Sequence, residues 1–298
     1  MYGTLAIVGA GRVGRALGRR MRELGWKIGA VVTRNESTAR RAVRFIGAGT
    51  AYVGISRRTL ASTCILIAAP DGAIEEVARE LARIGAEELQ GQVVLHTSGG
   101  MDSTALRAVR ACGAAAGSMH PLQTFDGVTV PSLEGRVFAI EGDPMAVRMA
   151  RKIARALGGV PSPIEPHNKP LYHAAGALAA GHILVVLEAA VQLLMSLGTK
   201  RSEAVRALLP MTREVLQNYE RLGPRVAWTG PLARGDYEVV AKHLNVLEEH
   251  SPEYRKAYEA LNRLAEQILS RDASTGSRSS ARVEPRNKAK VQCIGGRG

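Results

Sequence analysis

The run Leu5-Ala-Ile-Val8 leading into Gly9-Ala-Gly11-Arg-Val-Gly14 constrains this chain more than any other stretch. Four apolar residues enter a glycine turn, and an amphipathic segment, 14–24, leaves it. Three glycines at this spacing have separate tasks. Gly9 permits the tight turn, Gly11 lets backbone approach a pyrophosphate, and Gly14 lets the helix pack close to the strand. The N–H groups and positive dipole end of that helix then favour an anion. The stretch reads as a dinucleotide site, with Gly9, Gly11, Arg12, Val13 and Gly14 around the phosphates.

The rest of the N-terminal half repeats the theme. Apolar runs at 5–8, 28–32, 64–68, 93–96, 114–118 and 137–141 predict strands. Segments 14–24, 37–46, 73–84 and 102–111 predict helices between them. Such alternation implies α/β architecture, a doubly wound parallel sheet of Rossmann type, with ligands beyond the C-terminal strand ends. The Gly/Pro-rich stretch 158–166 reads as a connection. The expected organisation is a nucleotide-binding domain over 1–162, an all-helical substrate and dimerisation domain over 163–270, and a disordered basic tail over 271–298.

After the second strand an NAD-preferring site usually places an acid, which bonds the ribose 2′-hydroxyl. Here Thr33 and Arg34 stand there instead. An arginine pairs with a 2′-phosphate and stacks on adenine. NADP is therefore expected over NAD, with Arg12 adding a second positive charge. Ala69 and Pro70 end the next strand on the nicotinamide side of the cleft, and Asp71 is placed to cap the following helix.

Two further strand ends gather polar groups: His96-Thr97-Ser98-Gly99 and Ser118-Met-His120-Pro-Leu-Gln123-Thr124-Phe125. The imidazole of His120 is expected to exchange a proton with a substrate hydroxyl near pH 7, whereas His96, inside a strand, reads as structural. Ser98, Thr97, Gln123 and Thr124 are expected to orient the substrate's polar end. Beyond the connection, Asn168 caps a long helix that carries Lys169 and His173. These are four residues apart on one face, above the small side chains Gly176, Ala177 and Ala180. Lys169 and His173 are the expected proton carriers. In the loop Thr229-Gly-Pro-Leu-Ala-Arg234-Gly-Asp236, Arg234 and Asp236 either hold a substrate carboxylate or brace the loop.

The apolar run 174–197 is long enough for a membrane span, but His182, Glu188 and Gln192 interrupt it. A helix buried by its own domain and by a second subunit is the better reading, and a homodimer is expected. Of the net charge of +13, residues 271–298 supply five, as seven Lys and Arg against two acids. The remaining surplus fits an anionic cofactor. Without basic helices interleaved with aromatics, nucleic acid is not an expected partner. Cys64, Cys112 and Cys293 are odd in number and match no metal spacing, so no metal is expected. Free thiols and an N-terminus that enters a strand directly point to the cytoplasm.

These motifs together resemble the Rossmann-like proteins whose C-terminal half is the domain of unknown function 2520. They are distant relatives of the 6-phosphogluconate, ketopantoate, pyrroline-carboxylate and prephenate reductases and dehydrogenases. The resemblance spans roughly 4–270. It rests on the glycine turn, His96-Thr-Ser-Gly, Ser118-Met-His-Pro-Leu-Gln-Thr-Phe125, Lys169-Pro-Leu-Tyr-His-Ala-Ala and Thr229-Gly-Pro-Leu-Ala-Arg-Gly-Asp236. It implies that His120 contacts the reacting hydroxyl, as the His-Pro histidine of prephenate dehydrogenases does. It also implies that Lys169 is general acid/base, as in β-hydroxyacid dehydrogenases. Those enzymes carry Asn four residues after the Lys, where this chain has His173. The expected activity is NADP-dependent hydride transfer to or from a small, anionic carbonyl, hydroxy or imine compound. The alternative is an NADP-binding redox sensor without turnover.

Overall fold

The computed structural model describes residues 3–276, with side chains through 270. The elements run β1 (Thr4–Val8), α1 (Arg12–Glu23), β2 (Lys27–Thr33), α2 (Glu36–Ile46), β3 (Thr50–Val53), α3 (Arg57–Leu60), β4 (Cys64–Ile67), α4 (Asp71–Ile84), β5 (Val93–His96), α5 (Arg107–Ala111), β6 (Ala115–Pro121), β7 (Val137–Gly142), α6 (Pro144–Ala156) and β8 (Val160–Pro163). Helices α7 (Lys169–Ala177), α8 (Ile183–Ser196), α9 (Arg201–Ala227), α10 (Pro231–Arg234), α11 (Tyr237–His250) and α12 (Pro252–Gly276) follow.

One eight-stranded sheet has the order β3-β2-β1-β4-β5-β6-β7-β8. The central strands are apolar throughout because both faces are covered. In β1, Leu5 and Ile7 point into a core shared with α1, α2 and α6. Ala6 and Val8 point into a second core under α3, α4 and α5. β4 divides in the same way, Cys64 and Leu66 to one face, Ile65 and Ile67 to the other. Full burial of each large aliphatic side chain contributes roughly 1.5–3 kcal/mol, so sheet and helices hold each other in place.

Three expectations change. The sheet is not wholly parallel, because β7 pairs antiparallel with β6. A loop rather than a crossover helix joins those strands, and only a crossover returns the chain in parallel. The 158–166 connection contains a strand, β8, parallel to β7. Its prolines sit where they cost no ladder bond. The N–H groups of Val160 and Ile164 donate to the carbonyls of Arg136, just before β7, and Ile140, within it. Pro161 and Pro163, on the alternate positions, face the open edge. Finally, α12 continues to Gly276, past the end expected near Leu269. The rest of the basic tail, with Cys293, lies outside the described residues.

The chain divides into two compact units, 1–184 and 185–298. The first holds the sheet and α7. Within the second, Arg201 makes paired bonds of 2.7 and 2.8 Å to Glu188, and Tyr254 donates to Gln192 at 2.8 Å. Helix α9 is broken at Gly223, whose φ is 75°, beside Pro224. The helical stretch Pro166–Ser196 is long and apolar enough to cross a membrane, yet only 6 % of its most apolar window is buried. Burial of this run by its own domain is therefore not observed. Leu178, Leu184, Val185 and Val186 are all exposed.

Candidate functional site

A cleft of about 670 Å³ opens at the C-terminal ends of β1, β2 and β4. Gly9, Gly11, Thr33, Arg34, Ala69 and Pro70 line it, as expected from their places after the strands. Gly9 has φ 85°, and a Cβ there would meet the Ala69 nitrogen at 2.6 Å. A Cβ on Gly14 would meet the Gly9 carbonyl oxygen at 2.6 Å, so Gly14 is what lets α1 approach the turn. Gly11 has nothing within 4 Å of a would-be Cβ and leaves the floor of the cleft open. The first turn of α1 contains no acid. Its N–H groups have no carbonyl partner within the helix, so its positive end is available to an anion.

At the end of β2, Thr33 donates its hydroxyl to the Asn35 carbonyl at 2.7 Å, and Asn35 caps α2 by accepting from the Thr38 N–H at 2.9 Å. Arg34 is exposed beside them, and among the described residues it forms no ion pair with a carboxylate. Asn35, Thr38, Gly54, Ile55, Glu76 and Glu80 also line the cleft and were not anticipated. Gly54 and Ile55 follow β3, a four-residue strand with no distinctive apolar run. Arg12 and Val13 open α1, so their backbone N–H groups stay at the turn, but their side chains do not line the cleft. Arg12 lies against Gly127 in the loop after β6, and Val13 packs on the first core. Arg15 donates to the Gly127 carbonyl, which draws that loop towards α1. Asp71 opens α4 but makes no side-chain cap, since Pro70 holds the cap position.

A second cluster forms where β5, β6 and α7 meet. His96 is fully buried. Its Nδ1 accepts from the Ser98 N–H at 3.2 Å, so Nε2 carries the proton and donates to the Asp102 carbonyl at 3.1 Å. This is the structural histidine expected. The Ser98 hydroxyl accepts from the N–H groups of Gly100 and Met101, at 3.2 and 3.0 Å, and so shapes the turn instead of facing a substrate. Thr97 is held through its N–H to the Ile67 carbonyl. Gln123 binds the Ser132 carbonyl and the Thr124 N–H, which commits Gln123 and Thr124 to the loop.

Lys169 and His173 both touch the Ser98–Gly99 turn but do not share an open face. Lys169 is fully enclosed, its Nζ donating to the Ser98 carbonyl at 3.0 Å and to the Ser118 hydroxyl at 2.6 Å. Pro170 at the start of α7 gives the chain its direction, and Asn168 precedes the helix without a side-chain cap bond. Burial lowers the Lys169 pKa, and the charges of Glu141, Asp102 and Asp71 work against that shift. Glu141 is itself buried, accepts from the backbone N–H and hydroxyl of Ser103, and is pushed upward by its burial.

His173 is exposed, and its ring meets that of His120 edge-on at 5.6 Å. A Cβ added to Gly99 would lie 2.4 Å from His173 Nδ1 and 2.8 Å from His120 Nε2, so the missing side chain is what lets the two nitrogens converge. His120 is bonded to the Tyr172 hydroxyl, 3.0 Å from its Nδ1. Burial, then the Lys169 charge, pushes His120 down to about 4, and burial pushes the Tyr172 phenol up to about 12. Tyr172 was not anticipated. Its place three residues after Lys169, on the same helix face, was the available signal. Leu122 packs over Gly176, one of the small residues of that face.

In the second unit, Arg234 donates to Asp236 at 2.9 Å and to the Thr229 carbonyl at 2.6 Å. The bracing reading of that loop is the one observed.

Residues 3–121 match the Rossmann-like domain, and residues 136–265 match the domain of unknown function DUF2520. No curated protein sequence matches the chain. Among solved structures, a candidate NADP oxidoreductase from Bacteroides fragilis superposes with TM-score 0.72 at 20% identity, covering 89% of this chain and 98% of its own. A reductive aminase from Aspergillus terreus, solved with NADPH and ethyl-5-oxohexanoate, gives 0.65 at 18%, covering 91% and 95%. A pyrroline-5-carboxylate reductase from Coxiella burnetii gives 0.57 at 15%, covering 90% and 99%. At these identities the likeness is one of fold. From residue 3 to residue 265, the chain belongs to the Rossmann-like proteins that carry a C-terminal DUF2520 domain.

Proposed function

We propose that this chain is an NAD(P)-dependent oxidoreductase that prefers NADP and acts on a small, anionic carbonyl, hydroxy or imine compound. The observation that carries the reading is the cleft. A positive-φ glycine, an open glycine and an acid-free helix start lie at the end of β1, and Arg34 stands at the end of β2 where an acid would select NAD. The cradle fits a dinucleotide, because a side chain at Gly11 would occupy the space a pyrophosphate needs. When bound, the cofactor supplies or accepts hydride. This chain's residues do the rest. Gly9, Gly11 and the start of α1 hold the phosphates, and Arg34 with Thr38 receives a 2′-phosphate. His120 and His173 face the substrate and handle its proton, while Lys169 acts from behind the Ser98 turn by its charge.

Two kinds of neighbour support the assignment: a structure solved with NADPH, and a group of reductases sharing the fold. The test is a fluorescence titration with NADPH and with NADH, repeated on Arg34→Ala. Tight NADPH binding that Arg34→Ala weakens at least about tenfold, or 1.4 kcal/mol, is expected. Absence of binding to either cofactor overturns the reading. For the exposed apolar run of α8, we propose a second copy of the chain as the covering surface, rather than a lipid bilayer. The ion pair from Glu188 of that helix to Arg201 at the start of α9 favours an aqueous or protein environment.

A further inference from the structure

Tyr172 is half-buried, and its hydroxyl lies 3.0 Å from His120 Nδ1. Their rings meet edge-on, with centroids 5.5 Å apart. The other nitrogen of His120, Nε2, points to the space above Gly99, where His173 Nδ1 also arrives. A neutral imidazole donates from one nitrogen and accepts at the other, so whatever binds Nδ1 decides what Nε2 offers.

The groups around His120 settle the exchange. Lys169, His173 and His96 each oppose its protonation, and burial does so most, so the ring is neutral near pH 7. A phenol whose ionisation is suppressed by burial is a donor, and the vacant lone pair within its reach is Nδ1.

We propose that Tyr172 is a positioning residue that fixes His120 as the Nε2–H tautomer, so that His120 presents a hydrogen-bond donor beside His173 above Gly99. This rests on the reductase reading for its purpose and deepens it, because it specifies the substrate atom. A donor at that point receives an acceptor, such as a carbonyl oxygen, and one that gains negative charge as hydride adds is held more strongly still. A protonated imine has no lone pair to offer there, and the enclosed Lys169 ammonium repels its charge. The site therefore selects carbonyl oxygen over iminium nitrogen.

The experiment is nitrogen–proton long-range correlation NMR on full-length protein with 15N-labelled histidine at neutral pH. His120 is assigned through His120→Gln, and the measurement is repeated on Tyr172→Phe. In the wild type, Nε2 of His120 should show the protonated-type shift and Nδ1 the unprotonated type. In Tyr172→Phe this single-tautomer signature should be lost, with Nδ1–H becoming populated. His96 carries its proton on Nε2 through bonds independent of Tyr172, so its signals should not move.

Finding Nδ1 of His120 protonated in the wild type overturns the proposal, whether or not the variant folds. An unchanged His120 pattern in Tyr172→Phe also overturns it. These readouts need no cofactor, so they remain decisive even if NADPH fails to bind and the reductase reading falls.

Discussion

His96 makes acid stability a direct test of how the β5 strand end is built. It is fully buried, and burial first, then the Lys169 charge, pushes its pKa from 6.5 to about 4. The unfolded chain therefore takes up a proton at this residue between pH 6.5 and 4, whereas the folded chain does not. Stability from the neutral ring is complete above pH 6.5 and is lost as pH falls through that window. A depression of this size is worth about 3 kcal/mol when fully developed, at 1.36 kcal/mol per pH unit. By pH 4.5 about 2.5 kcal/mol of it should be gone. The assay is urea denaturation at pH 7.5 and pH 4.5 on His120→Gln, with and without His96→Asn. The Asn side-chain oxygen can still accept from the Ser98 N–H, in the place of Nδ1, but it cannot take up a proton. The His96→Asn protein should be less stable at pH 7.5, having lost the bond to Asp102, and should lack about 2.5 kcal/mol of the decline seen with His96 present. Carboxylates away from His96 contribute equally to both proteins and cancel in the difference, and His120, whose protonation His96 opposes, is replaced by Gln in both. Equal declines in the two proteins would refute the reasoning, because His96 would then be charged in the fold.

The glycine turn gives a pair of substitutions that separate fold from ligand. Gly11→Ala meets open space and should leave unfolding free energy within about 0.5 kcal/mol of wild type, while reducing NADPH affinity at least about tenfold in titration. Gly14→Ala drives a methyl against the Gly9 carbonyl and should cost about 1–3 kcal/mol in denaturant unfolding. The exposed α8 run predicts a dimer in sedimentation velocity at micromolar concentration, and Val185→Glu should give monomers. A wild-type monomer there removes the proposed covering surface.

The parts of this molecule governed by local periodicity were legible in the chain. β1, β2, β4 and β5 announced themselves as apolar runs because both sheet faces are buried, and Gly9 and Gly14 because a turn and a close helix leave no room for a side chain. Other parts depend on partners distant in sequence. β3 is four residues at a sheet edge, and β8 contains two prolines that local rules read as a loop. Pairing with β2 and β7 makes them strands. At the site, the pattern placed Lys169 and His173 on one face. It could not show that the Ser118 hydroxyl and the Ser98 carbonyl would enclose the ammonium, leaving only the imidazole outside. Ser98 and Gln123 were read as substrate contacts from their residue types, but their loops use those groups first. Tyr172 escaped notice because its partner, His120, lies 52 positions earlier.

The prolines of β8 restrict how this protein can associate. A sheet edge invites another chain only where it offers alternating donors and acceptors, and here the outward positions 161 and 163 carry no hydrogen to give. A visiting strand would find carbonyls without the matching N–H groups, so the sheet cannot be extended on that side into a continuous two-chain ladder or a fibril. The helical stretch around α8 also exposes an apolar surface, and the self-association proposed for it would proceed side chain against side chain and stop once the faces were covered. Two prolines at the rim of the sheet thus close that edge to open-ended strand addition.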